Sequence, residues 1–338
     1  MTSFKLSILC ITYNHAAFIR QALDGFVMQQ TNFPFEVLIH DDASTDGTAD
    51  IIREYEEKYP DIIKPVYQKE NQWSQGVAIS KTFQFPRIQG MYVAMCEGDD
   101  YWTDPRKLQK QVDFLDAHPD YTVCFHPVEV QWEKDPEKKE IFPTPDKRFN
   151  KTTLDVEDLI QHNFIQTNSV VYRWVFPEKE HLEDYPVGIL PGDWYLHLVH
   201  AKHGKIGFLE DVMGVYRRHP GGMWQGNNYL RHGDKHYHFF EAADKLLEGK
   251  YHALYEKKKR EYWLEMLRFS VMLDDFATLS RLGRLPPGLV EKLGRTIIPW
   301  EKQTWKHRFI NKLAKWLGIA PMYPDLKSFI AECRKREK

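Results

Sequence analysis

Along the first third of the chain, short apolar runs alternate with stretches whose apolar residues recur at helical spacing. KLSILCITY, residues 5–13, predicts a buried strand. HAAFIRQALDGFVMQQ, residues 15–30, follows with Phe18, Ile19, Ala22, Leu23 and Phe26 on one helical face. FEVLIHD predicts a second strand and GTADIIREYEEKY a second helix, with Asp46 placed to cap it. DIIKPVYQ and MYVAMC supply a third and a fourth strand. Strands that alternate with helices predict βαβ units and a parallel sheet covered on both faces. In such sheets ligands bind beyond the carboxyl ends of the strands, where the strand order switches. Three of these strands end in polar sequence of an unusual kind: TYNH, DDASTDGT and EGDD. The fold would gather those tips along one edge.

From about residue 120 the pattern changes. YTVCFHPVEVQW and EIFPTP flank a charged loop and predict a hairpin, and TNSVVYR predicts another strand. GDWYLHLVHAKHG reads as a short helix ended by Gly204, followed by KIGFLED and VMGVYRRH. From about residue 229 onward the chain reads as helical and heavily charged, broken at RLPPG and GIAPMYP. One late stretch, WEKQTWKHRFINKLAKWLGIAP, sets Trp305, Phe309, Leu313, Trp316 and Leu317 at helical spacing. Lys306, Arg308, Lys312 and Lys315 fall mainly on other faces. A basic amphipathic helix over 303–317 can lie on an anionic membrane surface or pack as ordinary core.

Composition changes this picture little. The 338 residues suffice for a full core and suggest about two domains. Hydrophobic residues at 42% and charged residues at 28% describe a globular protein rather than a disordered one. A net charge of -2 gives no argument for a nucleic-acid partner. Cys10, Cys96, Cys124 and Cys333 show no CxxC pairing, and three of them sit in apolar strand-like runs. No signal peptide opens the chain and no apolar run approaches the roughly 20 residues that span a bilayer. The expected compartment is the cytoplasm, with peripheral association at the inner face of the cell membrane left open.

The polar tips carry the candidate chemistry. In DDASTDGT, residues 41–48, two carboxylates at a strand end can accept hydrogen bonds from a ring N–H and from ribose hydroxyls. An Asx turn with a helix N-cap is the plainer alternative, and Asp46 can supply it alone. That alternative leaves Asp41 and Asp42, directly behind a strand, without an account. EGDD, residues 97–100, suits phosphate chemistry. Nucleotide phosphates repel carboxylates unless a divalent cation lies between them, and Mg2+ or Mn2+ prefers carboxylate and phosphate oxygens. No P-loop and no GxGxxG is present.

ILCITYNHAAFIRQALDGFVMQQ, FEVLIHDDASTDGT and YVAMCEGDDYWTDPRKLQKQVDFL, in this order and at this spacing, resemble the N-terminal half of family-two inverting glycosyltransferases of the GT-A fold. They are similar to bacterial enzymes that build O-antigen, capsule or other surface polysaccharides, over roughly residues 4–220. The resemblance implies an α/β fold, a Rossmann-like mixed sheet flanked by helices, with a helical C-terminal extension. The catalytic domain would span 1–225, with a nucleotide-binding half over 1–120 and an acceptor half over 121–225. A helical region over 226–338 would follow.

The resemblance also implies roles. Ile11 and Tyr13 would lie along the nucleotide base, with Asp42 reading the base and Asp41 beside it. EGDD stands where the family carries its DxD-type motif. Asp99 would contact the ribose or the metal, and Asp100 would coordinate the Mn2+ or Mg2+ that bridges the diphosphate. Glu97 takes the place of the first Asp, and Trp73 stands where relatives often carry glycine. Asp193 in LPGDWYLHL falls where the family places its catalytic Asp, a general base, although an isolated Asp there would read as a helix cap. VYRRHPGGMW resembles the family's YR-x-H segment, which implies His219 as a further metal ligand and Arg217 or Arg218 as a neutraliser of phosphate charge.

The implied reaction is inverting transfer of a sugar from a UDP-linked donor to a hydroxyl of a glycan or lipid-linked acceptor. Two other readings compete. A nucleotidyltransferase on a similar fold would show a Gly-rich N-terminal loop with a basic residue, and CITYNH has neither. A non-enzymatic sugar-binding module would be favoured by loss of Asp100 or Asp193, and both are present.

Overall fold

A computed structural model describes residues 4–144, 153–176, 178–222 and 233–272. The chain divides into two compact units, Met1–Gly188 with Gly192–His219, and Ile189–Pro191 with Pro220–Lys338. The first unit is built on β1 (Leu6–Thr12), β2 (Phe35–Asp41), β3 (Ile63–Tyr67), β4 (Tyr92–Met95), β5 (Tyr101–Trp102), β6 (Tyr121–Phe125), β7 (Val128–Trp132), β8 (Asp135–Phe142), β9 (Val171–Arg173), β10 (Lys205–Phe208) and β11 (Gly214–Arg218). Seven of these form one sheet in the order β10-β6-β9-β4-β1-β2-β3. Its pairings are parallel except at β9, which runs antiparallel to both β4 and β6. This is the mixed, helix-flanked sheet that the resemblance implies.

β1 and β2 are mostly apolar because both faces of the sheet are covered, and every residue of β2 is buried, Glu36 and His40 included. α1 (Ile19–Val27) lays Ile19, Ala22, Leu23 and Phe26 into the same cluster as Leu6, Ile8, Val37 and Ile39. Each of these side chains except Ala22 contributes about 1.5–3 kcal/mol by leaving water. Phe26 meets the Trp102 ring edge-on at 5.0 Å, which joins α1 to the segment behind EGDD. α2 (Thr48–Lys58) follows DDASTDGT, and α3 (Lys107–Ala117) follows the acidic loop.

The second sheet has the order β5-β11-β7-β8. The predicted hairpin is present, but its second strand starts earlier than EIFPTP: the charged run before Glu140 predicts a loop, yet Asp135–Phe142 is strand β8, paired antiparallel to β7 from Val128↔Phe142 to Trp132↔Asp135. It lies at the sheet edge with its charged residues in water, where pairing to a neighbour outweighs weak intrinsic propensity. In the second unit, helices span Gly233–Leu246 and His252–Met272. The amphipathic stretch 303–317 and Cys333 lie outside the described residues. Among the described residues no helix is long and apolar enough to cross a membrane.

α5 (Gly192–Ala201) buries two histidines completely; the one-turn helix α4 (Val156–Leu159) precedes it in the chain. The His200 ring stacks on Tyr172 at 4.2 Å, and His197 Nδ1 lies 2.5 Å from the Tyr172 hydroxyl. Burial pushes His197 down to about 4 and His200 down to about 3. Between these values and 6.5 the unfolded chain binds protons that the folded chain refuses, so their stabilisation is complete above about pH 6.5 and is lost as the pH falls. Buried carboxyls titrate in the opposite sense, so a variant isolates the effect. The stability difference between the protein and His200→Leu should shift by about 1.4 kcal/mol per pH unit below pH 6. Urea unfolding at pH 7 and pH 5 measures it, and a difference independent of pH would contradict the burial argument.

Candidate active site

Three backbone hydrogen bonds draw the polar tips together. Asp42 N–H donates to Thr12 O at 3.0 Å, Cys96 N–H to Leu9 O at 3.0 Å and Gly98 N–H to Ile11 O at 2.9 Å. β1 therefore has DDASTDGT on one side and EGDD on the other, at the point where the order of strands reverses. Gly98 permits this approach, since a Cβ there would stand 2.6 Å from Thr12 Oγ1.

TYNH is held by the loop it faces. His15 N–H donates to Thr48 Oγ1 at 2.9 Å and Ala16 N–H to Asp46 Oδ2 at 2.9 Å. Asp46 Oδ1 accepts from Thr48 N–H in a turn before the helix, so Asp46 fixes the entry to α1, while Gly47 and not Asp46 stands at the N-cap of α2. Ile11 is partly buried and Tyr13 is 45% exposed at the end of β1. Asp41 is buried with Oδ1 lacking a protein partner, and burial lifts its carboxyl. Asp42 is occupied differently from its neighbour. Its carboxylate accepts the Gln72 and Trp73 N–H groups at 2.8 and 3.0 Å and so shapes the ENQW turn.

The acidic loop meets β11. Its exit strand β5 pairs with β11 through Gly214↔Trp102, which carries His219 to Asp99. His219 Nε2 stands 2.9 Å from Asp99 Oδ2, and His15 Nε2 stands 3.9 Å from the same oxygen. Burial pushes the Asp99 carboxyl up, but the His219 hydrogen bond and the nearby His15 outweigh it and hold it below its usual value. Asp100 is 2% exposed and accepts the Arg217 N–H at 2.9 Å. Burial, then the charge of Asp99, lifts its carboxyl well above the ordinary range.

The two arginines of β11 alternate across the strand. Arg217 donates to Asp99 O at 2.6 Å and to Gln21, with its guanidinium 4.2 Å from the Tyr101 ring centroid. Arg218 is exposed and covers Trp132 instead. Glu97 is open to solvent on one side, yet the surrounding protein excludes enough water to lift its carboxyl to about 8, with Asp99 and Asp193 adding like charge.

Asp193 lies in the first turn of α5. Its Oδ2 accepts the Thr167 hydroxyl at 2.8 Å and its Oδ1 accepts the Trp194 N–H at 2.7 Å. The turn that bears Thr167 is bolted in place. Asn168 Nδ2 donates to Val215 O, Trp102 Nε1 to Asn168 O and Gln111 Nε2 to Ser169 O. Trp194 is a core residue, 8% exposed, with its indole N–H on Leu159 O.

Asp99, His219 and His15 bring one ligand atom each to within 4.8 Å of one another. Asp99 Oδ1 and His15 Nδ1 are buried without a protein partner, and a carboxylate with two imidazoles is a donor set for a divalent ion. Asp100 is not in that group. His15 is the site residue that the sequence pattern does not single out, for a lone histidine in a polar loop carries no spacing signal of its own.

Comparison with known proteins agrees with this geometry. The profile described as "Glycosyl transferase family 2" matches residues 7–178. The Mycobacterium tuberculosis protein Rv1520 is 47% identical over 221 residues, 65% of this chain and 60% of that protein. Escherichia coli WfaP, a UDP-Glc:alpha-D-GlcNAc-diphosphoundecaprenol beta-1,3-glucosyltransferase, is 30% identical over 112 residues, 33% of this chain and 41% of its own. The chain thus spans less than two thirds of the length of these relatives. The mannosyltransferase PcManGT from Pyrobaculum calidifontis, solved with GDP-Man and Mn2+, superposes with a TM-score of 0.50 at 18% identity, covering 99% of this chain and 87% of its own. Its likeness is one of fold, the GT-A fold of the mixed sheet described above. With the profile matching residues 7–178 of 338, the chain belongs to glycosyl transferase family 2.

Proposed function

We propose that the chain is an inverting glycosyltransferase of surface-polysaccharide synthesis. It moves a sugar from a UDP-linked donor to a hydroxyl of a glycan or lipid-linked acceptor, with Asp193 as general base. The observation that carries this reading is the meeting of Asp99 and His219 at the switch point of the sheet. The UDP donor and the lipid-linked acceptor draw support from WfaP, whose name specifies UDP-Glc and a diphosphoundecaprenol-linked sugar.

In this reading Ile11, Tyr13 and Asp41 line the nucleotide end, and Asp42 acts through the turn it holds. Asp99 and His219 would hold a divalent cation such as Mn2+ or Mg2+, with Asp100 behind them. When bound, that ion offsets charge on the departing diphosphate. Asp193 takes the proton from the acceptor hydroxyl as its oxygen bonds to the anomeric carbon from the face opposite the leaving group. The bond from that carbon to the diphosphate oxygen breaks, and its electron pair departs with the UDP. The Thr167 hydroxyl fixes the carboxylate for that proton transfer. Arg217, clamped on Asp99 O, braces the acidic loop and is the arginine on the side of Asp99, whereas Arg218 lies over Trp132.

Incubating the protein with a panel of nucleotide sugars and Mn2+ tests the proposal. The expected result is hydrolysis of a UDP-sugar and a thermal shift with that sugar or UDP. A nucleotidyltransferase would instead release pyrophosphate from a nucleoside triphosphate, and a binding module would shift thermally with no turnover.

A further inference from the structure

We propose that His15, with Asp99 and His219, completes a preformed three-ligand site that takes a transition-metal divalent ion before the nucleotide arrives and in preference to Mg2+. The inference rests on the metal-assisted reading above and adds to it a ligand, an order of binding and an ion preference. His15 comes from the loop after β1, Asp99 from the loop after β4 and His219 from the end of β11, so three separate elements aim at one point.

Each ligand is fixed before any ion is needed. The His15 backbone is tied to Thr48 Oγ1 at 2.9 Å, and α1 begins on its carbonyl, which accepts the Phe18 and Ile19 N–H groups at 2.8 Å. The Phe18 ring lies 4.7 Å from His219 and 6.3 Å from His15, beside both imidazoles. Those imidazoles are nearly perpendicular, 89° apart, with centroids separated by 6.1 Å. Arg217 grips the Asp99 carbonyl, so the main chain that carries the carboxylate is held as well.

The hydrogen bonding points the same way. Asp99 Oδ1 is buried without a protein partner, and His15 Nε2 stands 3.9 Å from Asp99 Oδ2, too far for the hydrogen bond that a structural triad would make. A site that offers one or two carboxylates borrows most of its ligands from the diphosphate. Three protein donors within 4.8 Å need no such loan. Ion type follows from donor type. Mg2+ favours oxygen and sheds water reluctantly, whereas two imidazoles suit Mn2+, Co2+ or Zn2+.

The test titrates MnCl2 into the nucleotide-free full-length protein and follows free Mn2+ by its paramagnetic resonance, with MgCl2 as competitor. The expected result is saturable binding of one ion without UDP, displaced by Mg2+ only in large excess. His15→Ala should weaken nucleotide-free binding by on the order of 10-fold or more. His15→Asp keeps a ligand while replacing the imidazole, so it should restore ion binding and bring the preference for Mn2+ over Mg2+ close to parity. Circular dichroism confirms that both variants fold. Mn2+ binding that needs UDP and is unchanged in His15→Ala would overturn the proposal and leave the metal-assisted reading standing. Binding to neither the free nor the UDP-loaded protein would overturn both.

Discussion

Asp193→Asn should lower kcat by on the order of 10²-fold or more and leave donor affinity nearly unchanged. Asparagine matches the shape of the carboxylate and can still accept the Thr167 hydroxyl that reaches Asp193 Oδ2 at 2.8 Å. It cannot take up a proton at neutral pH. The loss therefore falls on the transition state alone, where the acceptor hydroxyl gives up its proton. Steady-state rates at saturating donor, together with calorimetric titration of UDP, separate the two effects. Equal losses in rate and in UDP affinity would mark Asp193 as a nucleotide contact or a helix cap.

The acidic loop sets up a second large effect, read by comparing two adjacent residues. Asp99→Asn removes charge from the oxygen that faces His219 and His15, and it should abolish turnover and the gain in UDP affinity that Mn2+ provides. Asp100→Asn keeps an oxygen that can accept the Arg217 N–H, so β11 stays in register. It should retain a metal-dependent gain in UDP affinity. UDP titrations with and without Mn2+ on both variants decide the matter. Loss of that gain in Asp100→Asn, with Asp99→Asn unaffected, would move the metal to Asp100.

Much of this architecture is legible in the linear chain, for stated reasons. β1 and β2 announce themselves because a strand buried on both faces carries few polar positions to confuse the pattern. The three polar tips announce the switch point, since nothing in a surface turn calls for Asp41 and Asp42 behind a strand. What escapes the sequence are pairings between distant segments. Within the predicted β7–β8 hairpin only the extent of the second strand escapes, because its charged start, residues 135–140, is strand only beside β7. Lys107 looks like a solvated helix residue, yet it is fully buried, with Nζ donating to Gln111 Oε1 at 2.7 Å and lying 4.2 Å from the Trp102 ring centroid. Burial pushes its amine down to about 7. Asp42 reads from sequence as a ligand contact, while its carboxylate holds the Gln72 and Trp73 N–H groups. His15 gains a role only when β5 and β11 pair and carry His219 back to it.

The reversed direction of β9 sets which sequence changes can reach the chemistry. Val171 pairs with Ala94 near the carboxyl end of β4, and Arg173 pairs with Tyr92 at the opposite end. The segment that enters β9, with Thr167, thus arrives at the working edge of the sheet, while the segment that leaves it departs from the far edge. In the parallel strands the succession is the other way round. Of the segments that flank β9, the one before Gln166 and not the one just after Arg173 should therefore collect the divergence that retunes acceptor choice, beside the loops after β1, β2 and β4, and a loop graft at β9 belongs just upstream of Gln166.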